Sequence, residues 1–411
     1  MPNRIIQVFE YEQLTLFEDS RGRRLKEQEL ESLLKFNDEN TNKYFVPIHK
    51  GIKFNSFVGV LQVGNLTLEI LPKSDRQKAN GSESYAQWRD ALLTMLNVCN
   101  KMNVDAINEA HLKKRPFSLL EIYFHLYLIE VEKLLHQGLF KKYKVISGNL
   151  KAWKGRMNFS KNITYNIVRK ERFYTTHQTY NYDHLINQIL YKGLKVVSQV
   201  CANIEIQGKS KKLLACFPEI KDVRITESSF KKIQSSRKLY SFKKALDIAQ
   251  LLILNYSPEI KSGNTKLLAL IFDMNKLWEE YLYRMLKKVQ RENFEVWAQS
   301  SKKFWENKTV RPDIVLNIDG QTYVIDAKWK IINQNKPSDA DLKQMYVYNM
   351  YWEAEKSLLL YPSSENKKEK FGSFWKGREG KNLCKLGFVS VLKPDGTIDL
   401  EIGNKILDKL S

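Results

Sequence analysis

The feature that most restricts the fold of this chain is the stretch RPDIVLNIDGQTYVIDAKWK at residues 311–330. Thr309 to Ile318 and Gln321 to Ile331 are rich in the Val, Ile, Tyr and Trp residues that favour strands. The dipeptide Asp319-Gly320 between them favours a two-residue turn. The stretch therefore predicts a β-hairpin.

The predicted hairpin places two acids opposite each other. If Ile318 faces Gln321 across the turn, counting outward pairs Asp313 with Asp326, and alternation puts Lys328 on the same face. We expect that face to hold chemistry and the other, apolar face to be core. The apolar face consists of Ile314, Leu316, Ile318, Tyr323, Ile325, Ala327 and Trp329.

Like charges that face each other across a sheet destabilise it, so a cation is expected near the two acids. One interpretation is a hard divalent ion such as Mg²⁺, which prefers carboxylate oxygens, with Lys328 orienting a water for phosphodiester hydrolysis. The other is a salt-bridged surface hairpin in which Arg311, Lys328 and Lys330 neutralise the acids. The spacing alone leaves both interpretations open.

The composition is that of a folded protein with several cores. The chain has 411 residues, of which 43% are hydrophobic, enough for two or three domains. The start, MPNRIIQVFEYEQ, has no basic segment followed by an apolar run, and no stretch approaches a membrane span, so we expect a soluble, cytoplasmic protein. Four scattered cysteines predict neither a disulfide framework nor a thiolate zinc site.

The net charge of +21 favours a polyanionic partner, most simply nucleic acid. The segment from Gln207 to Lys244 carries eleven Lys and Arg residues against three acids. A solvated helix-and-loop face explains this segment about as well as a DNA groove does.

The first part of the chain predicts strands and the middle predicts helices. Val58 to Val63 and Leu66 to Leu71 form a hairpin pattern around Gly64-Asn65, and the polar segment Ser74 to Ser84 predicts a domain boundary. Helical periodicity follows. It covers Tyr85 to Asn97, Leu119 to Leu135 and Tyr182 to Val200.

The last part predicts a helix, the hairpin, a second helix and two strands. Leu267 to Val289 predicts a long amphipathic helix that carries Glu279 and Glu280 off its apolar stripe. Ser338, with Asp341 three residues later, predicts the start of a helix that reaches about Ser357. The predicted strands are Leu358 to Tyr361 and Gly387 to Leu392.

These residues resemble the PD-(D/E)xK nuclease superfamily in identity and order. Glu279 on the first helix, R-P-D at Arg311 to Asp313 and D-A-K at Asp326 to Lys328 match its motifs, with D-x-K as a variant. Gln344 and Tyr348, spaced i and i+4, match the Q-x-x-x-Y helix of its RecB-like branch. The resemblance implies that these six side chains form the site, and that Asp313, Asp326 and the Ala327 carbonyl hold Mg²⁺, with Mn²⁺ as a substitute.

A closer resemblance, to the McrC family of nuclease subunits from McrBC modified-cytosine restriction systems, covers most of the chain. It is carried by VGVLQVGNLTLEILPK at 58–73, KGRM at 154–157, DHLINQIL at 183–190 and FDMNKLWEEYL at 272–282. The family implies an McrB-like AAA+ GTPase hexamer as partner and DNA as substrate. The only G-K-S in the sequence begins at Gly208 and has Asn203 where a P-loop requires glycine. Any nucleotide-driven motor must therefore be a separate protein.

The resulting expectation is an α+β multidomain protein with a β-rich partner-docking domain at 1–80, a mostly helical, basic middle region at 81–260 and a PD-(D/E)xK endonuclease domain at 261–411 with a mixed central sheet. Its expected function is that of a type IV restriction endonuclease subunit that is Mg²⁺-dependent and stimulates its GTPase partner. The alternatives are a non-catalytic adaptor that activates an NTPase and a stand-alone RecB-like nuclease.

Overall fold

The structure is a computed structural model that describes residues 4–72, 82–102, 118–233, 237–257, 266–289, 291–330, 332, 337–363, 369, 371–374 and 382–410. The chain divides into two compact units. The first combines Met1–Leu119 with Pro258–Ser411, and the second is Leu120–Ser257. The functional division at residues 80 and 260 stays a prediction, and the expected boundary at 74–84 lies outside the described residues up to residue 81.

The first unit begins with strands and one helix. In chain order these are β1 (Arg4–Phe9), β2 (Gln13–Thr15), α1 (Glu27–Glu39), β3 (Phe45–Ile48), β4 (Gly51–Phe54), β5 (Phe57–Val63), β6 (Leu66–Leu71) and α2 (Ser82–Val98). The predicted hairpin of β5 and β6 is confirmed: Val63 pairs with Leu66, and Gly64 in the turn has a φ of +57°.

The predicted helix from Leu267 to Val289 is wrong over its first seven residues. Leu267–Asp273 is strand β11, which pairs antiparallel with β5, and the helix α9 covers only Met274–Lys287. The run LLALIF is apolar on every side, and such a run fits a buried strand as well as a helix. The side chain of Asp273 accepts a hydrogen bond from the Asn275 backbone N–H and caps α9, which fixes where the helix begins.

A six-stranded sheet of the first unit contains both parallel and antiparallel strand pairs. Its strands lie in the order β12 (Phe294–Ala298), β15 (Ile314–Ile318), β16 (Gln321–Ala327), β17 (Lys356–Pro362), β19 (Leu383–Val389) and β18 (Phe371–Ser373). The hairpin of β15 and β16 is antiparallel, whereas β16–β17 and β17–β19 are parallel. Helices α10 (Asp339–Trp352) and α11 (Ile402–Asp408) complete the unit.

Two details of the predicted hairpin are wrong. The first strand is interrupted: β14 (Lys308–Val310) pairs with β13 (Lys302–Trp305), and β15 begins only after Pro312, which has no N–H for a ladder. The expected chemical face is also core, because Val315 and Val324 are buried in a cluster with Met345 of α10. A sheet strand with parallel neighbours and a covering helix is commonly buried on both faces.

The second unit contains more strand than predicted. Its helices are α3 (from Leu120 of Leu119–Gln137), α4 (Phe159–Asn166), α5 (Leu185–Val200), α6 (Ile204–Cys216), α7 (Glu227–Lys231) and α8 (Lys243–Leu254). Strands β7 (Lys142–Leu150), β8 (Arg156–Met157) and β9 (Phe173–Asn181) form a sheet in the order β7-β9-β8, which the helical expectation missed. β7 is mostly exposed, β9 is mostly half-buried, and both are rich in polar residues, so they lack the apolar alternation by which strands are recognised.

Among the described residues, no helix is both long and apolar enough to cross a lipid bilayer.

Candidate active site

The hairpin brings the two acids together at one end of the mixed sheet. The predicted register is confirmed, with Ile314 opposite Ile325 and Val315 opposite Val324. Asp313 lies one residue before β15, and its Oδ2 accepts a hydrogen bond of 2.8 Å from the backbone N–H of Ala327. This bond holds the Asp313 carboxylate against the end of β16, next to Asp326.

Both acids are in surroundings that disfavour charge. Asp326 is only 1% exposed, and burial raises its pKa even though Lys328 acts in the opposite direction. Burial, reinforced by the charges of Asp326 and Glu279, raises the pKa of Asp313 to about 7. The site therefore concentrates acids whose charges are not fully compensated by the described residues.

Lys328 extends from the same strand end to the acids. Its Nζ lies 2.6 Å from Oδ2 of Asp326 and donates a hydrogen bond of 3.3 Å to Oε1 of Gln344. Burial lowers the pKa of Lys328, but the neighbouring carboxylate of Asp326 outweighs this effect, so the net pKa is raised. Lys328 is therefore a cation held between an acid and an amide.

The two predicted residues of α10 form one hydrogen-bonded chain with Lys328. The Gln344 side-chain amide donates to the hydroxyl of Tyr348 at 2.6 Å, and that hydroxyl donates to the backbone carbonyl of Arg311 at 2.9 Å. The Ser338 side chain caps α10 by accepting from the Asp341 N–H, as predicted, although the helix ends at Trp352 and not near Ser357. The chain of bonds fixes the Gln344 carbonyl oxygen toward Lys328.

The structure distinguishes the two glutamates of α9. Glu280 forms ion pairs with Lys101 at 3.1 Å and with Arg284 at 2.9 Å. Burial and then the charge of Asp326 raise the pKa of Glu279, so Glu279 lies within electrostatic range of the acid pair. Glu279, Glu280 and Asp313 all line a cleft of about 540 Å³, so the cleft does not separate the two glutamates and their different partners do. The structure thus brings Glu279 and the other five predicted residues into one cluster.

The salt-bridged interpretation of the hairpin holds only in part, because Lys328 pairs with Asp326, whereas Arg311 and Lys330 pair with neither acid within the described part of the chain. The ammonium of Lys330 pairs with Asp341 at 2.7 Å, and its charge also acts to lower the pKa of Asp326. Within the described part of the chain, neither Asp313 nor Arg311 forms an ion pair.

The donor set has the chemistry that a hard cation requires. The Asp313 and Asp326 carboxylates and the Ala327 carbonyl are oxygen ligands of the kind that Mg²⁺ prefers. The described residues contain no group of three or more His, Cys, Asp or Glu side chains arranged to hold a metal. Any ion at this site would therefore depend on two carboxylates, the backbone and water, which suits Mg²⁺ because it retains several waters.

Sequence reasoning missed a buried contact behind the site. The Trp329 indole N–H donates to Oε1 of Glu10 at 2.5 Å, and both residues are almost fully buried. The Trp329 ring also packs edge-on against Trp278, with centroids 5.1 Å apart. Trp278 immediately precedes Glu279, and Trp329 immediately follows Lys328. The packing of the two rings therefore supports both site residues. Glu10 is 319 positions from Trp329, and no local pattern links them.

The fold and the site together define a multidomain α+β protein with an acid–lysine cluster at the end of a mixed sheet. A sequence profile of the family described as "McrBC 5-methylcytosine restriction system component" matches residues 52–362. The chain belongs to this McrBC family.

Solved structures show the same fold. A chain of the "Refined half-complex from tetradecameric assembly of Thermococcus gammatolerans McrB AAA+ hexamers with bound McrC" is similar over 99% of both chains, with a TM-score of 0.76 and 18% identity. A chain of the "Cryo-EM structure of the Thermococcus gammatolerans McrBC complex" is similar over 69% of this chain and 87% of its own length, with a TM-score of 0.55 and 18% identity. No protein of curated function matches the chain.

Proposed function

We propose that this protein is the Mg²⁺-dependent DNA endonuclease subunit of a GTP-dependent restriction complex directed at modified cytosine. The observation that carries the proposal is the acid pair of buried Asp326 and partly buried Asp313, with Lys328 at 2.6 Å from Asp326. Membership of the McrBC family supports a role in restriction. We also propose an McrB-like AAA+ GTPase hexamer as the partner, and the cytoplasm as the location.

In the proposed mechanism, different residues have different roles in phosphodiester hydrolysis. Asp313, Asp326 and the Ala327 carbonyl would hold the metal, and Glu279 would add a contact directly or through water. When bound, Mg²⁺ or Mn²⁺ polarises the phosphoryl oxygen and offsets the charge that develops there. Lys328 positions the attacking water, and Gln344 and Tyr348 keep the Lys328 ammonium in place through their hydrogen-bonded chain.

The alternatives fit these contacts less well. A non-catalytic adaptor for an NTPase has no need for two opposed acids, whose repulsion would be about 3 kcal/mol at a separation of about 5 Å and an effective dielectric of about 20. A stand-alone RecB-like nuclease has no need for the additional sheets and helices formed by residues before 258.

The proposal predicts separate effects of site variants on two activities. Asp326→Ala or Lys328→Ala should reduce cleavage of methylated plasmid by at least about a hundredfold in the complex with the GTPase, because each removes a group that acts on the reacting phosphate. Stimulation of the partner's GTP hydrolysis should be unchanged. Gel analysis of cleavage and phosphate release measures both, and undiminished cleavage by Asp326→Ala would refute the site.

A further inference from the structure

A short β-ribbon leads directly into the site. Strands β13 and β14 pair Lys302 with Val310 and Lys303 with Thr309, with an irregularity before Trp305. Asp313 follows β14 by three residues. Whatever the ribbon contacts is therefore held next to the acid pair.

The ribbon is fixed to α10 on one side. The Phe304 ring lies 5.8 Å from the Tyr351 ring, and Lys302 Nζ donates to the Tyr351 carbonyl at 2.6 Å. The same ammonium lies 5.0 Å from the centre of the Trp352 ring. These contacts give the ribbon a defined position relative to the helix that carries Gln344 and Tyr348.

The exposed residues of the ribbon include two lysines and a tryptophan, beside one acid, Glu306, in the turn. Trp305 is 62% exposed, and Lys303 and Lys308 are exposed as well. Among the described residues, neither lysine has an ion-pair partner. An exposed indole beside two uncompensated lysines matches the stacking surface and charge that bind a nucleic-acid strand.

A groove connects the ribbon to the catalytic cluster. It has a volume of about 570 Å³ and is lined by Phe304 of the ribbon and by Gln344 and Tyr348 of the cluster. Its cations are Arg311 and Lys343, both of them exposed, and neither forms an ion pair within the described part of the chain. The charge of the groove is thus complementary to a polyanion along a path that ends near Lys328.

We propose that this ribbon and groove bind the DNA strand that enters the active site. Lys303, Lys308, Arg311 and Lys343 contact backbone phosphates, and Trp305 stacks on a base or sugar outside the scissile position. This inference rests on the proposed function, since it names how the substrate of that site is held. Its test measures binding and does not require cleavage.

The test compares binding of fluorescein-labelled duplex and single-stranded DNA to the full chain by anisotropy over a range of salt concentrations. Replacing Lys303 and Lys308 together by Gln should weaken binding by roughly tenfold and reduce the salt slope by about 1.4 to 1.8, because two phosphate contacts are lost. A matched pair, Lys288→Gln with Lys393→Gln, neutralises two exposed lysines outside the groove and should leave the slope unchanged.

Trp305→Ala should weaken single-strand binding by roughly 5- to 100-fold, and Trp305→Phe should restore most of it, because stacking requires only an aromatic face. Wild-type affinity and slope in the lysine pair and in Trp305→Ala would overturn the proposal. So would retained DNA binding with loss of co-elution with the GTPase, which would make the ribbon a protein contact. If the ribbon variants lose DNA binding but the wild-type chain never cleaves DNA, the ribbon proposal stands and the proposed nuclease function is wrong.

Discussion

Asp313 lies in surroundings that disfavour its charge. It faces Asp326 and Glu279, and its direct hydrogen bond comes from one backbone N–H. Burial and these two acids raise its pKa to about 7. A carboxyl group with this pKa is partly protonated near neutral pH, and binding of a cation would favour its charged form.

This environment predicts how stability depends on pH. Because the folded pKa of Asp313 is above the unfolded value, the folded state binds more protons between about pH 4 and 7, so the free energy of unfolding falls as pH rises across that range. The Asp313→Asn variant lacks this carboxyl group, so it does not show this decrease in the free energy of unfolding. Metal-free urea unfolding at pH 5 and pH 8 should therefore show the variant gaining about 1 to 3 kcal/mol relative to wild type at the higher pH.

A pH-independent difference between the two proteins would contradict the assigned environment of Asp313.

At the same scale, sequence reasoning predicted which side chains lie close together but not all of their contacts. The opposition of Asp313 and Asp326 was predictable because a two-residue turn fixes the register of a hairpin. The choice of Glu279 over Glu280 depends on Lys101, a residue far away in the sequence that pairs with Glu280. No local pattern contains that information.

Among the elements, β16 and its continuation connect the site to the start of the chain. Trp329 donates its indole N–H to Glu10, the residue that follows β1, and Trp88 of α2 packs edge-on against it at 6.5 Å. Both polar partners are buried, so neither can exchange this bond for one to water.

This contact predicts a graded effect on stability. Glu10→Leu should lower the free energy of unfolding by about 1 to 3 kcal/mol, because it leaves a buried N–H without this acceptor. Glu10→Gln retains an acceptor oxygen and should cost less. Urea unfolding with fluorescence detection compares the two, and equal losses would show that the hydrogen bond is not the cause.

The prediction of secondary structure was wrong where one apolar run is compatible with both a strand and a helix. Leu267 to Phe272 became strand β11 because β5 provides an edge on which to pair, and that edge comes from a segment some 200 positions earlier. The hairpins, by contrast, were predictable because Gly64-Asn65 and Asp319-Gly320 act locally.

For the whole molecule, the pairing of β11 with β5 means that the N-terminal strands and the C-terminal region share one compact unit. Removing the first 80 residues would expose the β11 edge, so partner docking is better tested with surface variants of the full chain. Phe17 and Val46 are exposed apolar residues of the N-terminal region, at 59% and 50%.

Replacing Phe17 and Val46 together by Ser should reduce co-elution with the GTPase and stimulation of its GTP hydrolysis at least fivefold, because an apolar docking contact is lost. The matched control replaces Phe159 and Ile163 of α4, which are exposed at 71% and 63%. If the control variant loses stimulation and the N-terminal variant does not, the partner surface lies in the second unit and the docking assignment is wrong.

The most direct test of the central claim, a metal held by the opposed acids, is a thermal melt of wild type and Asp313→Asn with and without Mg²⁺ at fixed ionic strength. Metal-free Asp313→Asn should melt no lower than wild type, since it removes repulsion between like charges. Mg²⁺ should raise the melting temperature of the wild type by a few degrees and scarcely change that of the variant, because an ion that binds only the folded site stabilises it by mass action. Equal responses of the two proteins to Mg²⁺ would contradict the two-carboxylate metal site.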